Sequence, residues 1–349
     1  MGKPVRVINS VAPIRINDLG GWTDTWFAEY GAVLNIGVYP YIQCQMAVFR
    51  ARRAVRERVI IDVENYGARL ALEPGRIVYD EHPLLEAAVD IMRIPKNIQI
   101  RVNIYSAVPG GCSTGTSASV SLALIGALDT LTPGRMTPAE AAAKAHEIET
   151  VKLRQQCGIQ DQLCAAYGGI CYIQMDRYPK ASVSQLWLPN SQWWELENRL
   201  CLIYMGRTHS SSEVHKQVIA ELEDNTPQNP KLQRLRDCAE KGKNALYDGD
   251  LRAFGRAMIE NTEAQGALHA ALISSDMKQA IAVAKAHGAL GWKVNGAGGE
   301  GGSLTILAAR DPARKRRMIR EIESIGPRIA NIPIYLSRYG LRVWDSPVE

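Results

Sequence analysis

The stretch that most constrains this 349-residue chain is residues 108–128, which read VPGGCSTGTSASVSLALIGAL. An uncharged loop rich in glycine, serine and threonine runs directly into an apolar segment rich in alanine and leucine. The pattern predicts a loop that leads into the N-terminus of a helix. The first backbone N–H groups of a helix have no partner within it, and the helix dipole adds partial positive charge there. We therefore expect this junction to attract an anion.

The residues of this loop suit a phosphate group. Glycines let the backbone approach a ligand closely, and hydroxyl groups can bind phosphate oxygens or a metal ion. The candidate phosphate-binding residues are Pro109, Gly110, Gly111, Cys112, Ser113, Thr114, Gly115, Thr116 and Ser117. The alternative is a turn of small residues that only starts a core helix, because one glycine-rich loop is a weak signal. The spacing of the glycines matches neither a P-loop nor a dinucleotide-binding turn.

Length and composition indicate the class of protein. A chain of 349 residues with 46% hydrophobic and 22% charged residues suits two globular domains. Its net charge of +5 fits an acidic substrate or a nucleotide and is too small to argue for nucleic acid. The chain begins without a signal-peptide pattern and has no apolar run of roughly 18 residues, so we expect a cytoplasmic protein without membrane contact. The seven cysteines contain no C-x-x-C pair, which argues against a zinc site or a disulfide framework.

Hydrophobic periodicity predicts strands mainly in the first half of the chain and helices mainly in the second. The first strands are predicted at 5–9 and 13–17, with Pro13 marking the break before the second. Few parallel strand–helix–strand repeats are apparent, which favours an α+β fold. An aromatic loop at Trp193 and Trp194 lies near the predicted domain boundary, which divides the chain into 1–195 and 196–349. The later helices are predicted at 211–222, 230–247, 251–262 and 265–287.

A second polar cluster, residues 18–25, reads DLGGWTDT and combines two acids with a tryptophan that we expect to be exposed. Carboxylates accept hydrogen bonds from sugar hydroxyls, and an aromatic ring can cover the apolar face of a sugar. The candidate substrate-binding residues are Gly21, Trp22, Thr23 and Asp24. The alternative is a plain Gly-Gly hairpin.

Two further stretches complete the set of candidates. Residues 293–307 read KVNGAGGEGGSLTIL, a glycine-dense turn that enters a strand, and we expect Lys293 to be solvated in preference to facing a phosphate. The run RARRAVRER at 50–58 contains five arginines. It is predicted to be a solvated face, with a phosphate or nucleic-acid patch as the alternative, because no aromatic residues are interleaved.

Taken in order, these clusters resemble the three motifs of the GHMP small-molecule kinases, the superfamily of galactokinase, homoserine kinase, mevalonate kinase and phosphomevalonate kinase. RINDLGGWTDT at 15–25 resembles the first motif of the fucokinase and heptose-7-phosphate kinase branch. The resemblance covers nearly the whole chain. It implies a two-domain fold, with an ATP-binding N-terminal domain like domain 2 of ribosomal protein S5 and a ferredoxin-like α/β C-terminal domain. It also implies ATP and Mg²⁺ as cofactors.

The resemblance assigns roles to the nucleotide-binding residues. Residues 109–118 lie on the second motif, P-x-x-x-G-L-G-S-S-A, with Ser113 and Thr114 in place of the usual Gly-Leu. This implies that the loop binds the ATP phosphates and that Ser117 faces the metal ion. Gly296 and Gly298 fit the third motif and would also contact ATP, although Glu300 is an unusual charge within that motif.

The resemblance also implies the catalytic residues. CGIQDQ at 157–162 is similar to the C-G-I-x-D-Q stretch of galactokinase, which makes Asp161 the catalytic acid/base. Arg15, nine residues before Asp24, corresponds to the arginine that partners the transferred phosphoryl group and this aspartate. Glu149, twelve residues before Asp161, corresponds to a magnesium ligand, with Glu147 as the second candidate and a solvated glutamate as the alternative.

The expected function is therefore an ATP-dependent kinase that phosphorylates the anomeric hydroxyl of a heptose 7-phosphate or a fucose-like sugar. Gly21 and Trp22 replace the Glu-His of galactokinase, which argues against galactose. A phosphorylated substrate would need a basic pocket, which residues 50–58 or Arg207 could supply. Other acceptors are alternatives: a uronic acid, another aldose or an isoprenoid precursor. A further alternative is a catalytically silent relative that binds a sugar or a nucleotide. The oligomeric state is expected to be either a monomer or a homodimer.

Overall fold

The computed structural model describes residues 2–51, 56–206, 218–220, 222, 227–299 and 301–348. Most of the predicted helix at 211–222, the centre of the arginine run at 50–58, Arg207 and Glu300 lie outside these residues. Within the described ranges, no helix combines the length and the apolar character that crossing a membrane requires.

The described residues contain two sheets. The strands of the larger sheet are β1 (Arg6–Leu19), β2 (Gly31–Arg50), β3 (Val59–Val63), β4 (Ala68–Leu72), β5 (Ile98–Ser106), β6 (Ile170–Arg177), β7 (Lys180–Leu186), β12 (Tyr335–Leu336) and β13 (Arg342–Ser346). Their order is β13-β1-β2-β5-β3-β4. In addition, β12 and β6 each pair with β2, and β7 pairs with β6. Neighbouring strands are antiparallel except β3 and β5. The smaller sheet has the order β11-β8-β10-β9, with β8 (Leu200–Tyr204), β9 (Gly291–Val294), β10 (Ser303–Leu307) and β11 (Ala330–Ile332).

The N-terminal strand is continuous over Arg6–Leu19, so the prediction of two short strands at 5–9 and 13–17 is wrong. The pairing of β1 with β2 shifts register between Pro13 and Ile14 and again between Ile16 and Leu19. An irregularity of this kind accommodates a residue that has no N–H to donate to the ladder. Beyond the first shift, Arg15 donates its backbone N–H to Thr114 O at 2.9 Å. The strand therefore meets the glycine-rich loop at Arg15.

Four described helices belong to the part of the chain that forms the larger sheet, and two of them, the second and the fourth, pack directly on its first two strands. They are α1 (Pro83–Ile91), α2 (Thr116–Asp129), α3 (Pro138–Glu147) and α4 (Gln160–Tyr167), and α5 (Asn190–Arg199) precedes the smaller sheet. α2 is buried over most of its length and packs on β1 and β2, as its alanine- and leucine-rich sequence predicts. α3 begins with a capping box, in which Thr137 accepts from Glu140 N and the Glu140 carboxylate accepts from Thr137 N.

The helices of the second half are α6 (Pro230–Tyr247), α7 (Leu251–Gly266), α8 (Ser275–Ala286) and α9 (Pro312–Glu323). The prediction of one helix across 265–287 is wrong. α7 ends at Gly266, and α8 starts afresh because the Ser274 side chain caps it by accepting from Met277 N. Likewise, Trp193 and Trp194 lie on α5 and not in a loop.

The end of the chain returns to the larger sheet. β12 pairs with β2, and β13 pairs with β1. The segment 335–346, which the predicted division places in the C-terminal domain, therefore completes the sheet of the N-terminal one. The division at residue 195 itself stays a prediction, whereas the mainly antiparallel sheets with helices packed against them confirm the α+β fold class.

Candidate active site

The glycine-rich loop leads into the N-terminus of α2 as predicted. Gly115 is the N-cap residue with φ +69°, and the structure gives α2 no side-chain cap. Gly111 and Ser113 also have positive φ, so the loop turns sharply just before the helix. Ser117 is exposed, whereas Thr114 is buried with its hydroxyl 3.2 Å from that of Thr116. The backbone N–H groups at the start of α2 are thus free of side-chain caps and suit an anionic ligand.

Arg15 and Asp161 form an ion pair beside this helix end. Arg15 Nε lies 2.7 Å from Asp161 Oδ1, and Arg15 also donates to the carbonyl oxygen of Ser113. Asp161 is in the first turn of α4, and its side chain is 27% exposed. A Cβ at Gly115 would lie 3.0 Å from Asp161 Cγ, so the carboxylate sits directly against the N-cap of α2. The structure therefore brings together Arg15 of the first motif, the loop of the second motif and Asp161 of the CGIQDQ stretch.

The charge on Arg15 is strongly favoured. Burial lowers the pKa of Arg15, but the carboxylates of Asp161 and Asp18 outweigh this effect and hold the pKa above its ordinary value. Asp18 Oδ1 lies 3.8 Å from Arg15 Nη1. A buried, permanently charged guanidinium next to a partly exposed carboxylate is suited to a reaction in which negative charge develops.

Lys293 is buried, so the expectation that it is solvated is wrong. Its Nζ lies 3.3 Å from Asp18 Oδ1 and 2.9 Å from Gln265 Oε1, and it also donates to Val294 O. These acceptors replace the water that the ammonium group loses on burial. Burial lowers the pKa of Lys293, and the Asp18 carboxylate opposes that shift.

The third glycine-rich turn packs against both other motifs. Gly296 N donates to Asp18 at 3.1 and 3.2 Å, and a Cβ at Gly296 would lie 3.0 Å from Ser113 Cβ. A Cβ at Gly298 would lie 2.1 Å from Leu272 O, and both glycines have positive φ. Only glycine fits either position without displacing its neighbours. The three motifs therefore meet at one place, although they are far apart in sequence.

The predicted substrate turn is buried throughout. Thr23 Oγ1 donates to Gly20 O at 2.7 Å, and a Cβ at Gly21 would lie 2.6 Å from Asp18 Oδ2. Trp22 is only 6% exposed, so the expectation of an exposed ring is wrong. The burial of the indole ring removes a large hydrophobic area from water. The ring belongs to an apolar cluster with Ala28, Val218, Leu222, Leu232, Leu235, Ala264, Leu268, Leu272 and Ala297. The substrate-binding roles of these residues stay predictions.

Asp24 lies against the start of α4. Its Oδ2 accepts from the backbone N–H groups of Ile159 at 2.9 Å and Gln160 at 3.1 Å, and its Oδ1 accepts from the Gln160 side chain at 3.3 Å. Burial raises the pKa of Asp24 to about 6, and the amide of Gln160 opposes the shift. The carboxylate is therefore engaged with the protein itself.

Glu149 is a buried carboxylate on a π-helical segment, Ile148–Lys152, that follows α3. It accepts from Gln162 Nε2 at 2.8 Å, and burial raises its pKa to about 7, with a smaller rise from the nearby Asp161. Glu147, the second candidate, is instead half exposed and pairs with Lys144. A buried carboxylate near a second carboxylate fits a divalent cation that would neutralise both. Among the described residues, no group of three acidic, histidine or cysteine side chains could hold a metal alone.

Sequence reasoning missed the residues that connect the predicted ones. Asp18 joins Arg15 to Lys293, and Gln162 joins Glu149 to the helix that carries Asp161. Asp18 could have been singled out as the second acid of the DLGGWTDT turn. Gln162 could have been singled out as the last residue of the CGIQDQ stretch, next to Asp161.

The comparisons with known proteins agree with this geometry. Residues 83–169 match the model of the GHMP kinases N terminal domain, and residues 243–328 match that of the GHMP kinases C terminal. A mevalonate kinase from Thermococcus onnurineus is 30% identical over 70% of this chain and 69% of its own length. A D-glycero-alpha-D-manno-heptose 7-phosphate kinase from Campylobacter jejuni is 23% identical over 91% of this chain and 94% of its own.

Two further matches extend over nearly the whole chain. An L-fucokinase/L-fucose-1-P guanylyltransferase from Bacteroides fragilis is 23% identical over 95% of this chain and 38% of its own. The crystal structure of a D-glycero-D-manno-heptose 1-phosphate kinase from Bacteroides thetaiotaomicron superposes with a TM-score of 0.73 at 21% identity, covering 97% of this chain and 98% of that one. The chain therefore belongs to the GHMP kinases, a family of ATP-dependent kinases that act on small molecules.

Proposed function

We propose that this GHMP kinase transfers the γ-phosphate of ATP to a sugar hydroxyl, with the anomeric hydroxyl of a heptose 7-phosphate or a fucose-like sugar as the expected acceptor. The observation that carries the proposal is the ion pair of Arg15 and Asp161, 2.7 Å apart, against Gly115 at the open N-terminus of α2. A sugar acceptor is supported by the relatives named as a heptose 7-phosphate kinase and a fucokinase, each of which matches more than nine-tenths of this chain.

Each group of site residues has a separate proposed role in phosphoryl transfer. Its transition state is loose and spreads charge over the phosphoryl oxygens, so positioning and electrostatic stabilisation dominate. The loop 109–117 and the start of α2 would hold the ATP phosphates, with Gly296 and Gly298 closing the far side. Arg15 would stabilise the developing charge, and Asp161 would accept the proton of the attacking hydroxyl.

Mg²⁺ fits beside these residues. When bound, it supplies positive charge that neutralises the phosphate oxygens. Glu149, buried with a raised pKa, and Ser117, with an exposed hydroxyl, would hold it together with the nucleotide. Mg²⁺ is commonly held by one or two carboxylates plus substrate phosphates, so a site with few protein ligands is the expected one.

The acceptor is proposed to lie against the turn of Gly21, Trp22, Thr23 and Asp24. Gly21 and Trp22 carry no charge, which favours a sugar other than galactose. The basic residues that could bind a second phosphate, Arg207 and the centre of the run at 50–58, lie outside the described residues.

The test is release of ADP from MgATP with a panel of acceptors, followed by phosphorus NMR of the product. The panel contains heptose 7-phosphate, L-fucose, galactose, a uronic acid and mevalonate. We expect an anomeric phosphate on one of the first two. Asp161→Asn should lower kcat by about 10²–10⁴-fold, the range for loss of a general base. A variant that kept the wild-type rate would overturn the role of Asp161.

Mevalonate is the second candidate acceptor. The observation in its favour is the 30% identity to a mevalonate kinase. That match covers 70% of this chain, whereas the matches to the sugar kinases cover 91 and 95%. Turnover of mevalonate without turnover of any sugar would replace the proposed acceptor and leave the phosphoryl-transfer roles in place.

A further inference from the structure

The carboxylate of Asp24 acts as an N-cap for the helix that carries Asp161. Helix α4 is eight residues long, and Ile159, the residue at its N-cap position, provides no side-chain cap. Asp24, 135 residues earlier in the chain, supplies the missing acceptor: its Oδ2 receives the N–H groups of both Ile159 and Gln160. The cap of this helix therefore comes from another part of the fold.

This contact matters because α4 is short and its first turn is catalytic in the proposed function. A helix this short is marginal by itself, and its first N–H groups need acceptors. A buried carboxylate at that end satisfies two donors and interacts favourably with the helix dipole. Asp24 is 2% exposed, so water cannot readily take over these two bonds if the carboxylate is removed.

Asp161 is the residue directly after Gln160 and is fixed from two sides. Arg15 holds its side chain through Nε, and Asp24 holds the backbone at the residues just before it. We propose that Asp24 is a positioning residue that sets the place of Asp161 through the backbone of α4, and that this is its main contribution to catalysis. The inference rests on the proposed role of Asp161 and revises the expectation that Asp24 chiefly binds sugar hydroxyls.

Gly158 gives an independent means of testing this contact. A Cβ at Gly158 would lie 2.0 Å from Asp24 Oδ2, far inside van der Waals contact. Gly158→Ala would therefore push the carboxylate away from the start of α4 while leaving every carboxylate and hydroxyl group of the site unchanged. Gly158 is not among the residues with positive φ, so alanine brings no added backbone strain.

The experiment compares kcat and KM for the wild type, Asp24→Ala, Asp24→Asn and Gly158→Ala. The substrates are MgATP with heptose 7-phosphate, or with L-fucose if the acceptor panel selects it. A positioning role predicts that Asp24→Ala and Gly158→Ala each lower kcat by about 10- to 100-fold, with the KM for the sugar within about threefold, because misplacing a catalytic group mainly affects the transition state. Asp24→Asn keeps an oxygen acceptor and should restore kcat to within about fivefold of wild type.

The double variant and a control sharpen the result. Asp24→Ala with Gly158→Ala should be no slower than Asp24→Ala alone, since both changes remove one contact. Thr137→Ala removes the cap of α3, which lies outside the proposed site, and should leave kcat unchanged. If Asp24→Ala does not fold, Gly158→Ala and Asp24→Asn decide the question.

A rise of about tenfold or more in the KM for the sugar, with kcat retained in both Asp24 variants, would overturn the inference and make Asp24 a sugar ligand. Asp161→Asn is measured in parallel. If that variant keeps the wild-type rate, the proposed role of Asp161 fails and this inference fails with it, whereas the proposed function fails only if the wild type phosphorylates no sugar of the panel. If it is inactive while the Asp24 variants change only KM, this inference alone fails.

Discussion

At the scale of single residues, Glu149, the proposed magnesium ligand, is expected to make the stability of the folded protein depend on pH. Burial raises its pKa from an ordinary value of 4.5 to about 7. Because the pKa in the folded state lies above that in the unfolded state, its contribution to stability is fully present below about pH 4.5 and is lost as the pH rises through about 7. We expect Glu149→Gln to be more stable than the wild type at pH 8, by about 1–3 kcal/mol. Urea unfolding in EDTA without nucleotide measures this difference.

The pH dependence identifies the cause of this effect. The stabilities of wild type and Glu149→Gln should converge below about pH 4.5, where the carboxyl group of the wild type is protonated in both the folded and the unfolded state. Glu147→Gln is the matched control, because Glu147 is half exposed and pairs with Lys144 on the surface, and it should change stability by less than about 0.5 kcal/mol. A constant difference between wild type and Glu149→Gln at every pH would contradict the account.

At the scale of elements, Gly115 links α2 to Asp161. It has φ +69°, and a Cβ there would lie 3.0–3.2 Å from the Asp161 side chain. We expect Gly115→Ala to lower kcat by tenfold or more, because the added methyl group displaces the carboxylate from the start of the helix. Gly67 is the matched control: its φ is +59°, and a methyl group added there would meet nothing within 4 Å. Both variants should lose about 1 kcal/mol of stability through backbone strain, but only Gly115→Ala should lose activity. Steady-state kinetics with thermal unfolding separates the two effects.

The elements that the sequence predicts correctly are those with local signals. Thr137, Pro138 and Glu140 predict the start of α3, and the glycine-to-alanine transition near Gly115 predicts that of α2. The continuous helix predicted at 265–287 is wrong because apolar spacing persists through a break that the Ser274 cap creates. The burial of Trp22 depends on residues beyond 217 that close over it, and nothing near Trp22 signals them.

The residues of the candidate site also fall into two groups, those that sequence motifs identify and those that they do not. Arg15, Asp161 and the loop at 109–117 follow from motifs, and the structure places them together. The pairs Asp18–Lys293 and Asp24–Gln160 do not follow, because no motif links the two residues of either pair and each pair is more than 130 positions apart. Such contacts depend on how the two sheets and α4 pack, which short-range patterns do not encode.

At the scale of the whole molecule, buried charges join the two sheets. Asp161, Arg15, Asp18 and Lys293 alternate in sign along a chain of contacts of 2.7, 3.8 and 3.3 Å. Asp18 lies on β1 of the larger sheet, and Lys293 lies on β9 of the smaller one. The place of the third glycine-rich turn relative to Arg15 is therefore set through Asp18, which also accepts from Gly296 N.

Removing one member of the buried pair should destabilise the protein strongly. Lys293→Met takes away a cation that compensates Asp18, and breaking a buried ion pair on one side costs about 3–5 kcal/mol. Asp18→Asn with Lys293→Met should be less destabilised than the sum of the two single variants, because no uncompensated charge stays at the pair. Lys241→Met is the control: its pair with Glu260 is 2.6 Å long but exposed, and its loss should cost less than about 1 kcal/mol. Urea unfolding of the four variants measures these differences, and additive single effects would show that Asp18 and Lys293 contribute to stability independently.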